Sequence, residues 1–211
     1  MNPEQQSALQ GAWAGLREGD LPRAWRLCQT LVKQFPDDAA GLDVASRVAL
    51  AMGQRRLAEQ LADRAVSLAP REFSFLTQRA FSLLALKKTA EADEFIEQLA
   101  AFPLDQAADQ DTLGNLFSSL GDQSRALQHF KRAVAIDPDS AHFWLNLALS
   151  LQATGELEQA ETAFDRCIVL IQMKAQPGCT VRGCAHRARS VTTWWHCRRH
   201  WQGMREIGAG K

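Results

Sequence analysis

The sequence predicts an all-α fold, a right-handed superhelical solenoid of about five helix-turn-helix repeats, and three series of residues predict it. Small residues recur every 34 positions, as Ala24, Ala58, Ala92, Ala126 and Ala160 and again as Ala12, Ser46, Ala80, Gly114 and Ala148. Glycines at 19, 53, 121 and 155 keep the same period with one member missing. Prolines at 36, 70, 103 and 138 follow at nearly that spacing. A fixed period of this length marks stacked supersecondary units, each of which buries its apolar face only against its neighbours.

The repeats are expected over 5–38, 39–72, 73–106, 107–140 and 141–173. In each, a first helix carries the early small residue and closes near the glycine, which takes a left-handed conformation easily. A second helix carries the periodic alanine and closes before proline, which cannot donate the next helical hydrogen bond. Repeat one is thus built around Ala12 and Ala24, with Gly19 and Pro36 as its stops, and repeat two around Ser46 and Ala58, with Gly53 and Pro70. Repeat three keeps Ala80, Ala92 and Pro103 but has Lys87 where glycine is expected. Repeat four shows the face of each helix most plainly. Leu113, Leu116, Phe117 and Leu120 share one face of its first helix, and Ala126, Phe130, Ala133 and Val134 one face of its second. Repeat five has Ala148, Gly155 and Ala160, then Ile171-Gln172-Met173 where a proline should close it.

This pattern resembles the tetratricopeptide repeat family, whose motif is W-x2-L-G-x2-Y…A-x3-F…P over 34 residues. Repeat four supplies Leu113-Gly114, Phe117, Ala126, Phe130 and Pro138, and repeat five supplies Trp144, Leu147-Ala148, Leu151, Ala160 and Phe164. Repeat three departs most, with Ile96 in place of the aromatic. The resemblance implies that the first helices line a concave groove for a protein or peptide ligand. Carried onto this chain, its groove positions are Gln6, Leu9, Trp13 and Arg17, then Asp43, Arg47 and Leu50. They continue as Thr77, Phe81 and Leu84, then Asp111, Asn115 and Ser118, and end with His142, Leu145 and Gln152. Charge mixed with apolar anchors such as Trp13 and Phe81 suits an amphipathic helix or an extended segment. One family mode is excluded. The two-carboxylate clamp has asparagine at the places of Asn115 and Asn146, but Asp111 stands where it needs lysine and repels a carboxylate.

Other function classes find little footing. The 211 residues hold no apolar run long enough to span a membrane. The opening MNPEQQSALQ has no leader pattern, so a cytoplasmic location is expected, and the odd count of five cysteines argues against a disulfide scaffold. No phosphate-binding glycine loop is present, and no cofactor is expected. His129 and His142 read as satisfied surface or groove residues, and Cys28 and Cys167 as small core residues. The chain is therefore expected not to be an enzyme.

Residues 174–211 are of another kind. They hold 8 Lys and Arg against 1 acidic residue, whereas 1–173 hold 16 against 23. Three readings stay open. Cys179, Cys184, His196 and His200 approach zinc-finger spacing, though Ala188 occupies the finger's aromatic position. Basic residues interleaved with Trp194, Trp195 and Trp201 could contact nucleic acid, a role not favoured here. The third reading is a shift of reading frame after Leu170. Read one base out of step, codons 170–174 can encode Asp-Pro-Asp-Glu where the repeat should end, and Pro177-Gly178 can encode Trp. That shifted tail resembles the segment after the repeats in bacterial proteins that join such an array to a sulfotransferase domain. The resemblance implies a truncated enzyme whose catalytic residues lie elsewhere. As written, the tail is expected to lack packed structure, and repeat five to expose apolar surface around Phe164 and Ile168 that favours self-association.

Overall fold

The computed structural model describes residues 2–175. Among them are ten helices and no strand, as expected. The first six are α1 (Pro3–Glu18), α2 (Leu21–Gln34), α3 (Ala39–Ala51), α4 (Arg55–Leu68), α5 (Phe73–Ala85) and α6 (Thr89–Ala100). Four more follow: α7 (Ala107–Leu120), α8 (Gln123–Ile136), α9 (Ala141–Ala153) and α10 (Leu157–Ala175). Odd-numbered helices are the first of each predicted repeat and even-numbered ones the second. Two compact units are present, one ending at His129 and the other beginning at Phe130.

In the first unit each helix from α1 to α6 packs on the next. The first helices also pack on one another, α1 on α3, α3 on α5 and α5 on α7. The periodic alanines explain this closeness: Ala24, Ala58, Ala92 and Ala126 expose no surface, and neither do Ala12, Ser46 and Ala80. A methyl or hydroxymethyl group is all the space between helices admits, and larger residues such as Leu31, Leu42, Ile96, Leu99 and Phe117 fill what remains. Ile96 fills the place of the missing aromatic. In the second unit α9 packs on α10, with Ala148, Leu151, Ala160, Ala163, Cys167 and Leu170 buried.

Four of the five turns between paired helices share one pair of backbone bonds, and the first keeps only the bond from the Gly19 N–H to the Leu16 carbonyl. Gly53 has φ 76°, its N–H donates to the Leu50 carbonyl, and the Gln54 N–H donates to the Ala49 carbonyl. Gly121 and Gly155 end α7 and α9 with the same pair of bonds. Lys87 does so too. It holds φ 61°, donates to the Leu84 carbonyl and is followed by Lys88 donating to the Leu83 carbonyl. The turn geometry therefore outlives the residue type that suits it. Beyond the last turn, α10 runs on to Ala175, where the sequence placed a change of character at 174. The tail readings, including the metal candidates Cys179, Cys184, His196 and His200, the nucleic-acid reading and the frame shift, lie outside the described residues.

Candidate functional site: a cleft on the first helices of the N-terminal unit

Residues one repeat apart occupy equivalent places on α1, α3, α5 and α7. One series is Leu9, Asp43, Thr77 and Asp111; the next, a turn further on, is Trp13, Arg47, Phe81 and Asn115. The sequence offered both as groove residues, and the structure separates them. Asp43, Thr77 and Asp111 are buried, with 3%, 4% and 5% of their surface exposed. Trp13, Arg47, Phe81 and Asn115 are partly open. The buried carboxylates hold the residues above them. Asp43 Oδ2 accepts from Arg47 Nε at 2.8 Å, and Asp111 Oδ2 accepts from Asn115 Nδ2 at 3.1 Å. So Asp43 and Asp111 are not open groove residues: both are buried, and each is engaged by the side chain one turn further along its own helix.

Arg47 is tied on three sides. Besides Asp43 on its own helix, its Nη2 donates to the Ser74 carbonyl of α5 at 3.1 Å, and its guanidinium carbon stands 5.5 Å from the centre of the Trp13 ring of α1. A cation over an aromatic face is attracted by the ring's quadrupole. Burial raises the Asp43 carboxyl above its ordinary value, the bond and charge of Arg47 pull it part of the way back, and Glu72 adds a small push upward.

Together these side chains wall a cleft of about 490 Å³. Arg47 comes from α3; Phe73, Ser74, Thr77 and Phe81 come from α5; Asp109, Thr112, Asn115, Ser118 and Ser119 come from α7. Of the residues expected in the groove, Arg47, Thr77, Phe81, Asn115 and Ser118 therefore meet in one place. Leu9 and Trp13 lie half-buried against the first core cluster, while Arg17 is exposed at the end of α1. His142 and Leu145 are exposed on α9 in the second unit, where His142 Nε2 lies 3.3 Å from Asn146 Nδ2 and Leu149 adds apolar surface beside Leu145. Sequence reasoning passed over Phe73, Ser74, Asp109, Thr112 and Ser119. Helical spacing could have found three of them, since Ser74 and Thr112 precede Thr77 and Asn115 by three positions and Ser119 follows Asn115 by four.

His129 departs from the sequence reading. It is buried, its ring stacks on Phe117 with centroids 5.3 Å apart, and its Nδ1 lies 2.8 Å from Gln110 Oε1. Because Gln110 Nε2 donates to the Leu104 carbonyl at 2.9 Å, the amide oxygen faces the ring and Nδ1 carries the proton. Cys28 and Cys167 are buried as expected. Among the described residues no group of three His, Cys, Asp or Glu side chains could hold a metal ion, and no helix is long and apolar enough to cross a membrane.

Stacked helix pairs with small residues at every contact and left-handed turns between them define a helical-repeat protein. A family model of the TPR repeat matches residues 114–162. Over those residues the chain is similar to the tetratricopeptide repeat. Among solved structures it is similar to TTC0263, a thermophilic TPR protein in Thermus thermophilus, at 21% identity and a TM-score of 0.63 over 70% of this chain and 81% of that one. It is also similar to MamA 41-end from Desulfovibrio magneticus RS-1, at 18% identity and a TM-score of 0.59 over 83% of this chain and 99% of that one. At such identities the likeness is one of fold. No curated protein matches the chain.

Proposed function

We propose that this chain is a non-catalytic binding module that takes a segment of another protein in the cleft on α3, α5 and α7. The observation that supports this most directly is the convergence of equivalent positions from three successive repeats, Arg47, Phe81 and Asn115, on one open wall. Phe73 and Phe81 offer apolar contact, and the hydroxyls and the Asn115 amide offer hydrogen bonds to a ligand backbone. Tying Arg47 to its neighbours before any ligand arrives spares ordering entropy on binding.

A photo-reactive benzoylphenylalanine placed singly at Thr112, Ser119 or, on a second helix, Gln128 tests the reading in extract of the source cells. Thr112 and Ser119 are expected to give discrete adducts that Gln128 does not. Adducts from Gln128 alone, or the same products from all three positions, would count against the cleft.

A further inference from the structure

We infer that the segment bound in this cleft is basic, an extended stretch with a Lys or Arg beside an apolar side chain. The inference rests on the cleft reading above and concerns its charge. Arg47 is the only cation among the described residues of the wall, and Asp43 already answers it at 2.8 Å. The wall also holds Asp109, and Glu72 lies close enough for its carboxylate to raise the Asp109 carboxyl, after burial has raised it first. Among the described residues, no cation stands within ion-pair distance of Asp109 or Glu72. Asp43 Oδ1 is buried and has no hydrogen-bond partner, so the carboxylate beneath Arg47 is not fully satisfied by it. The cleft thus presents one paired cation and an excess of negative charge.

Each kind of ligand charge meets this surface differently. An acidic segment or a terminal carboxylate is repelled by Asp109 and Glu72 and finds Arg47 already engaged. A Lys or Arg relieves the repulsion between the two carboxylates, and its methylene stem can lie along Phe73 or Phe81. The aromatic faces add their own attraction for a cation. Charge complementarity and the apolar wall therefore select the same side chain.

The test is selection of a random peptide display library on the full chain, followed by fluorescence polarisation with the selected peptides against wild type, Asp109→Asn and Phe81→Ala. Selected sequences are expected to place Lys or Arg next to an apolar residue. Asp109→Asn should weaken them by about fivefold, the scale of one partly exposed ion pair. The loss should shrink as salt rises. Melting curves of both variants establish that they fold. Acidic or uncharged peptides that still depend on Phe81 would overturn the basic preference and leave the cleft reading standing. Basic peptides indifferent to both substitutions, or no selected peptide at all, would overturn the two together.

Discussion

Gln78 Nε2 donates to the hydroxyl of Ser46 at 3.0 Å, joining the buried faces of α5 and α3. Ser46 in turn donates to the Ala58 carbonyl of α4 at 2.7 Å, and Ser82 donates to the Gln78 carbonyl at 3.0 Å. Two successive repeats are therefore locked in register by polar atoms inside an otherwise apolar contact.

Ser46→Ala should cost about 1–3 kcal/mol, because it leaves the Gln78 amide buried without its acceptor. Adding Gln78→Met should recover much of that loss, since neither side then carries an orphaned polar group. Urea unfolding of the two single variants and the double variant measures it. A double variant whose loss equals the sum of the single losses would mean that the bond carries no stability.

Lys87 should be improved by glycine. Every other turn of its kind has glycine at the left-handed position, and a residue with a Cβ pays about 1 kcal/mol to adopt it. Lys87 is exposed and makes no side-chain contact that the turn needs. After the entropy that glycine loses on folding, Lys87→Gly should stabilise by about 0.5 kcal/mol, or a rise of about 1–2 °C in melting temperature. Gly53→Ala, the reverse experiment, should lower it by a comparable or larger amount. A fall in melting temperature for Lys87→Gly would contradict the strain.

The contrast between these two cases shows what was legible beforehand. Small residues at helix contacts leave a periodic mark, so Ala58 and Ala92 could be placed in the core from spacing alone. Lys87 could be found as the break in the glycine series, but its φ could not, because the turn is imposed by the helices on either side. The groove positions were legible as a face and not as depths. Asp43 and Arg47 share that face, yet one is buried and the other partly open, a distinction that charge and hydropathy do not encode. Gln78 and Gln110 carry no mark in the sequence: only the fold shows the partner that makes a buried amide acceptable.

Cys28 should stay unmodified by iodoacetamide at pH 8 while the chain is folded. It exposes no surface, and burial pushes its thiol from 9.0 up to about 12, so almost no thiolate forms. Mass spectrometry of the Cys28 peptide, before and after denaturation, reads this without interference from the other cysteines. The same shift makes stability fall with pH. The unfolded thiol ionises above 9.0 and the folded one only near 12, so the unfolded state binds fewer protons between them. Stability should drop by up to about 1.4 kcal/mol per pH unit across that window. Cys28→Ala should show a shallower alkaline fall than the wild type, and equal slopes would refute the assignment.

Arg47→Ala tests the most connected side chain of the cleft. Its removal takes away the partner of a carboxylate that is almost wholly buried, together with the bond to the Ser74 carbonyl and the contact with Trp13. Breaking one side of a buried pair costs about 3–5 kcal/mol, and the partial exposure of Arg47 reduces this to about 2–3 kcal/mol at pH 7. The sign of the pH dependence follows from the Asp43 carboxyl, which sits above its ordinary 3.8 in the folded chain and should rise further without Arg47. Stability tied to a raised carboxyl is present below the unfolded value and lost as pH climbs through the folded one. The variant should therefore lose less, relative to wild type, at pH 4 than at pH 7. In an Asp43→Asn background, where no charge needs a partner, Arg47→Ala should cost far less at either pH. Equal losses in both backgrounds would show that Arg47 acts through Ser74 and Trp13 and that Asp43 is not what holds it in the wall of the cleft.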